Sequence, residues 1–136
     1  GLQRAQEVIA QINVRSMAQQ LMAQGEKWWE YATRMGRQGE YIAQQVFQFT
    51  PNTAHYLTDA GHYRIPDGVV GNIVFEVKNV ATLCNTAQIR ELAQIARDVG
   101  GTLVLVVRES VAAGLSPQML EKFAQQGIIL AGILPD

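Results

Sequence analysis

The chain has 136 residues, 48% of them hydrophobic, and a formal net charge of -1. That length fits one domain with a buried core and excludes a disordered tail. The near-neutral balance provides no global basic field for a polyanion, and the single cysteine, Cys84, excludes an internal disulfide framework.

No apolar run reaches the roughly 20 residues that a membrane span needs, so no membrane contact is expected. No basic-then-apolar signal segment opens the chain either. It begins with Gly1 rather than Met, so a longer polypeptide upstream is expected. Residues 1–36 are expected to form a helical leader, with Leu2, Ala5, Ile9 and Ile12 on one stripe. Gly25, Gly36 and Gly39 are candidate breaks between helices. Trp28 and Trp29 point about 100° apart on a helix, so one is expected in the core and the other over a helix junction. Stacking of one ring on a nucleic-acid base is the alternative.

A second helix is expected over 37–49, with Ile42, Val46 and Phe49 on one side and Pro51 and Asn52 ending it. The texture then changes to short β-type runs. A weak strand over 56–58 precedes a turn at Asp59, Ala60 and Gly61. Stronger strands are expected over 63–70 and 73–80, joined only by Gly71 and Asn72, which is a hairpin signal. Asn85 opens a helix whose buried face is Ala87, Ile89, Leu92, Ala93, Ala96 and Val99; Gly100 and Gly101 stop it. The apolar run 103–107 reads as a strand covered on both faces, which implies a crossover between parallel strands. Ser116 and Pro117 start a last helix, with Leu115 and Leu120 placed to staple across its cap. Gly127 ends it, and 128–130 can add an edge strand. The fold class is mixed α/β in one layered domain, 37–136.

The hairpin carries the chemistry. Side chains alternate along a strand, so Val74, Glu76 and Lys78 share one face. If Gly71 and Asn72 form the turn, Gly68 opposes Phe75 and Asp67 opposes Glu76, with Cβ atoms about 4.5–5.5 Å apart. Opposed carboxylates repel unless a group of opposite sign lies between them, and a hard divalent cation such as magnesium is the natural occupant. Lys78, one pleat further, can then steer a water or offset charge on a phosphate. Gly68 leaves room for backbone to approach a ligand. A surface hairpin, with Glu76 and Lys78 solvated and Asp67 capping a turn after Pro66, fits the same pattern.

The sequence Ile65-Pro66-Asp67 followed by Phe75-Glu76-Val77-Lys78-Asn79 resembles the motif of the PD-(D/E)xK nuclease superfamily, the restriction-endonuclease fold. The order helix, hairpin, crossover helix and apolar strand, over roughly Arg37 to Arg108, is similar to the αβββαβ core of that superfamily. The resemblance implies Asp67, Glu76 and Lys78 as catalytic residues, and a Mg2+ or Mn2+ ion held by Asp67, Glu76 and the Val77 carbonyl. Glu40 matches the helix glutamate that supports the metal site or adds a ligand; Gln88 and Asn79 match supporting positions. Glu40 also suits the first turn of a helix through the dipole, and Gln88 also suits a capping interaction with Asn85.

Within the superfamily the chain resembles the C-terminal nuclease toxin domains of bacterial polymorphic, contact-dependent and type VI effectors. That implies cleavage of DNA, delivery into the cytoplasm of a rival cell as part of a larger effector polypeptide, and a cognate immunity protein. RNA as the polymer, a housekeeping repair or restriction-type nuclease, and a catalytically dead binding module are the alternatives. Arg34, Arg37, Arg64, Arg90 and Arg97 are candidates for backbone contacts, with solvated arginine the ordinary reading. His55 and His62 form no zinc spacing with Cys84, and no nucleophile elbow or phosphate-cradling loop is present.

Overall fold

The computed structural model describes residues 27–136. The expected leader stripe and the Gly25 break lie outside the described residues. The first element, α1 (Trp28–Phe47), is one helix of 20 residues that runs through Gly36 and Gly39. The breaks expected at those glycines are therefore absent, and the helix crosses the division expected between 36 and 37. Met35, Ile42, Ala43 and Val46 fall on one stripe and are buried, which outweighs the roughly 1 kcal/mol that a helical glycine costs. Gly39 sits where the helix meets the sheet; a Cβ there would lie 2.9 Å from Cβ of Asn79. The helix ends at Gln48, in left-handed conformation at φ 60°, before the expected Pro51 and Asn52.

Strands β1 (Tyr56–Leu57) and β2 (Tyr63–Arg64) form a separate antiparallel pair. The single strand expected over 63–70 is broken at Ile65-Pro66-Asp67, and pairing resumes in β3 (Gly68–Val70). Pro66 has no N–H for a ladder. Two carbonyls of this break are taken by Asn52, whose Nδ2 donates to Pro66 O at 3.0 Å and whose backbone N–H donates to Asp67 O at 3.0 Å. Strand β4 (Ile73–Lys78) pairs with β3 in the expected register: Gly68 with Phe75, Val69 with Val74, Val70 with Ile73.

Helix α2 (Ala87–Asp98) is capped by Thr86 rather than Asn85, with the Thr86 side chain accepting from the Ile89 N–H. Its buried residues are Ile89, Leu92, Ala93, Ile95 and Ala96. Ala87 and Val99, expected in that face, are exposed because they sit at the helix ends. Strand β5 (Thr102–Arg108) lies parallel to β4, as a crossover requires. A short helix that the sequence reading lacked, α3 (Glu109–Ala113), precedes α4 (Pro117–Gln125). Ser116 caps α4 by accepting from the Met119 N–H, but Leu120 stays exposed while Leu115 packs on the core. Strand β6 (Ile128–Leu134) is the expected edge strand, running four residues further than its apolar start suggested.

The sheet order is β3-β4-β5-β6, antiparallel at the first pair and parallel at the other two. Alternation divides the core by face. Val74, Leu103, Leu105 and Val107 pack with α2 and α4; Phe75, Val104 and Val106 pack with α1. Two helical layers thus enclose one mixed sheet, the restriction-endonuclease-like α/β architecture. Among the described residues no helix is long and apolar enough to cross a membrane.

Candidate active site

Glu76 lies on the α2 face of β4 and is only 3% exposed. Its partners come from the same side: Gln88 Nε2 on α2 donates to Glu76 Oε2 at 3.2 Å, and Lys78 Nζ stands 3.8 Å from that oxygen. Lys78 Nζ also donates to Gln88 Oε1 at 2.9 Å. Gln88 therefore joins the carboxylate to the lysine, using its amide as donor to one and acceptor from the other. The cap interaction with Asn85 is not its role.

Asp67 reaches the pair from the hairpin partner. The β3–β4 ladder stops at Gly68 and Phe75, so the next edge position of β4 is open. Asp67 Oδ2 fills it by accepting from the Val77 N–H at 2.7 Å. This side-chain bond replaces the next rung of the ladder. Gly68 has a different reason from the one expected. A Cβ there would meet the Phe49 ring at 2.5 Å, and Phe49 stacks on Phe75 at 4.7 Å between centroids. The glycine lets the core close beneath Asp67 rather than a ligand approach from outside.

The electrostatics follow from this closeness. Burial first, then hydrogen bonding with Asp67 and its negative charge, push the Glu76 carboxyl up to about 9, with Lys78 opposing. A hydrogen bond between two carboxyl groups exists only if one of them keeps a proton. Without that proton Glu76 Oε1 is buried with no hydrogen-bond partner of good geometry among the described residues. The oxygen is satisfied by a proton or by a cation. Two carboxylates with an orphaned buried oxygen fit a hard divalent ion, which takes oxygen ligands and often only one or two carboxylates from the protein.

Glu40 is held on α1, where burial and then the charge of Asp67 raise its carboxyl, against Arg37. Among the described residues no three acidic, histidine or cysteine side chains stand close enough to hold a metal together. Glu40 stands as an electrostatic neighbour of the pair. Asn79 belongs to the other face. Its Nδ2 donates to Met35 O at 2.8 Å and its Oδ1 accepts from Arg108 Nε at 2.8 Å, fastening α1 and β5 to the end of β4. His62 and Arg64 bond Glu91 on α2, at 2.8 and 2.5 Å, and tie the small β1–β2 sheet to that helix. Asn52, read from sequence only as a helix stop, is the positioning residue that reasoning missed. A polar side chain directly after Pro51 in a loop gave no sign of a partner 14 residues away.

A mixed sheet with a Pro-Asp before one hairpin strand, E-x-K on the next, a flanking helix glutamate and a crossover-helix glutamine defines a protein of the restriction-endonuclease fold. The family model described as restriction endonuclease fold toxin 7 matches residues 36–119, and the chain belongs to that family. It is a toxin domain of nuclease type. Comparison with curated proteins and with solved structures found no match.

Proposed function

We propose that the domain is a metal-dependent deoxyribonuclease, delivered into bacterial cells from a larger effector polypeptide and restrained in the producer by an immunity protein. The observation that carries the reading is the orphaned Glu76 Oε1 beside Asp67, with Lys78 on the same face. Asp67, Glu76 and the Val77 carbonyl are the groups that would hold Mg2+ or Mn2+, with Glu40 contributing its charge. When bound, such an ion supplies positive charge to the phosphate and acidifies water.

Hydrolysis joins a water oxygen to phosphorus while one P–O ester bond breaks. The water must lose a proton, and charge must be met on the phosphoryl oxygens. Lys78 carries a compact ammonium next to the carboxylates and so orients the water or meets the phosphate charge. Gln88 fixes that ammonium through its Oε1. Glu76, 3% exposed, carries its charge where little water screens it.

The test is incubation of the purified domain with plasmid DNA and with total RNA, in magnesium or in EDTA. Nicking and linearisation of the plasmid are expected in magnesium only. Full activity in EDTA, or in Glu76→Ala, overturns the reading. Cleavage of RNA with intact plasmid transfers the same chemistry to the other polymer.

A further inference from the structure

The chain leaves the site at Lys78 and returns to it at Gln88. Strand β4 ends at Lys78, α2 begins at Ala87, and Lys78 Nζ donates to Gln88 Oε1 at 2.9 Å. Both ends of the connecting loop, 79–86, are thereby pinned beside Glu76, while its middle is exposed at Val80, Ala81 and Thr82. The loop borders a groove of about 260 Å³, and every residue that lines it lies between 78 and 89. Lys78 and Gln88 are among them, so the groove opens directly from the site.

Beyond Lys78 the lining is uncharged. Val80, Leu83 and Ile89 supply apolar surface, and Thr82, Cys84 and Thr86 stand exposed around it. The shape is set by the protein itself. Leu83 is anchored in the core, the Thr86 N–H donates to Cys84 O at 3.0 Å, and Arg90 Nη1 donates to the Asn85 carbonyl. Lys78 is the one charged side chain of the lining, and no carboxylate joins it there. The proposed hydrolysis puts a phosphate against that ammonium. In a nucleic acid the groups next to a phosphate are uncharged: a sugar and the flat base it carries. A hollow that starts at a cation and continues over apolar surface, with hydroxyls near by, matches that succession of groups.

We propose that this groove is the subsite for one nucleoside flanking the scissile phosphate, its sugar and base lying against Val80 and Leu83 while the phosphate faces Lys78. The inference rests on the nuclease reading and adds where the polymer is held, and by which of its groups. Apolar contact favours no base by hydrogen bonding, so cleavage should show no strict preference at that nucleotide.

The test uses the whole chain, in which Cys84 is the single thiol, so a neutral maleimide reports on the groove alone. Its labelling rate is measured in EDTA with oligothymidylate, oligouridylate or inorganic phosphate, with saturation by each oligonucleotide checked by anisotropy. The polymer that is cleaved is expected to slow labelling by about tenfold or more, and inorganic phosphate is expected to leave the rate unchanged. A second measurement fills the groove. Cys84→Trp is expected to raise KM for cleavage in magnesium by about tenfold with little change in kcat. Its melting temperature, and its Mn2+ affinity by calorimetry, should match those of wild type.

A thiol that does not react in the free chain would show that other residues cover the groove, and overturns the proposal. So do equal labelling with and without saturating polymer, equal protection by inorganic phosphate, and a Cys84→Trp variant with the KM of wild type. A loss of Mn2+ affinity in step with the change in KM would place the effect at the metal, and overturns it as well. A wild type that neither binds nor cuts either polymer removes the nuclease reading itself. A wild type that cuts while Cys84 stays unprotected removes the subsite alone.

Discussion

A carboxyl group with one oxygen buried and undonated is satisfied by a proton at low pH or by a cation at higher pH. For Glu76 the folded-state value of about 9 is above the ordinary 4.5, so the native state holds the proton more tightly than the unfolded chain. Stability from this group is therefore complete below pH 4.5 and is lost as pH rises through about 9. The metal-free protein should melt at progressively lower temperature between those values, and Glu76→Gln should flatten the dependence. Magnesium should restore stability at the alkaline end in wild type and not in the variant. Thermal melts across that range, with and without magnesium, check both; an unchanged profile in Glu76→Gln would assign the pH dependence elsewhere. Lys78 makes the second prediction at this scale. Lys78→Ala should reduce turnover by orders of magnitude yet bind metal, and Lys78→Arg should not rescue it, since a planar fork does not replace an ammonium against Gln88. Gln88→Ala should lose about 10- to 100-fold in activity through misplacement of both neighbours. Calorimetry that finds no metal binding in Lys78→Ala would make the lysine structural.

At the scale of elements, the site depends on a strand that stops early. If 63–70 were one strand, Asp67 would be one more rung, and its side chain would stand over the sheet face. Pro66 interrupts the ladder, and Asn52, in the loop after α1, takes the Pro66 and Asp67 carbonyls. The segment is thereby held at the open edge of β4, where the Asp67 carboxylate caps Val77 N–H. Asn52→Ala removes the Nδ2 bonds to Pro66 and Ala54, at a cost of about 1–3 kcal/mol for the buried carbonyl left without a donor. The expected signature is a moderate fall in urea midpoint with a larger fall in metal affinity. Equal metal affinity in Asn52→Ala and wild type would mean that β3 alone places Asp67.

At the scale of the molecule, the family defines a toxin, and the biological consequence is testable in cells. Expressed in a bacterial cytoplasm, the wild-type domain should arrest growth, and Glu76→Ala at equal soluble expression should not. Co-expression of the cognate immunity protein should restore growth. An inhibitor acidic at its contact would take the place of phosphate over the metal-loaded site. Equal growth of wild-type and Glu76→Ala cells, with active nuclease confirmed in lysate, would point to a housekeeping nuclease instead.

The sequence by itself determined the hairpin, its register from Gly68 and Phe75 to the turn, and the crossover helix. Those signals are local: a two-residue Gly-Asn link fixes register, and strand alternation then puts Glu76 and Lys78 on one face. The order of elements determined the fold class for the same reason. What only the tertiary structure decided depends on partners distant in the chain. Gly36 and Gly39 were expected to break a helix, yet the helix runs through both, and at Gly39 it lies directly against Asn79, Val77 and Leu134. Gly68 was expected to admit a ligand, and the ring it admits is Phe49. Gln88 was open between a cap and the site until α2 was laid on β4, which placed its amide between Glu76 and Lys78. Spacing in a sequence sets the direction of a side chain; only packing of elements against one another sets what that side chain meets.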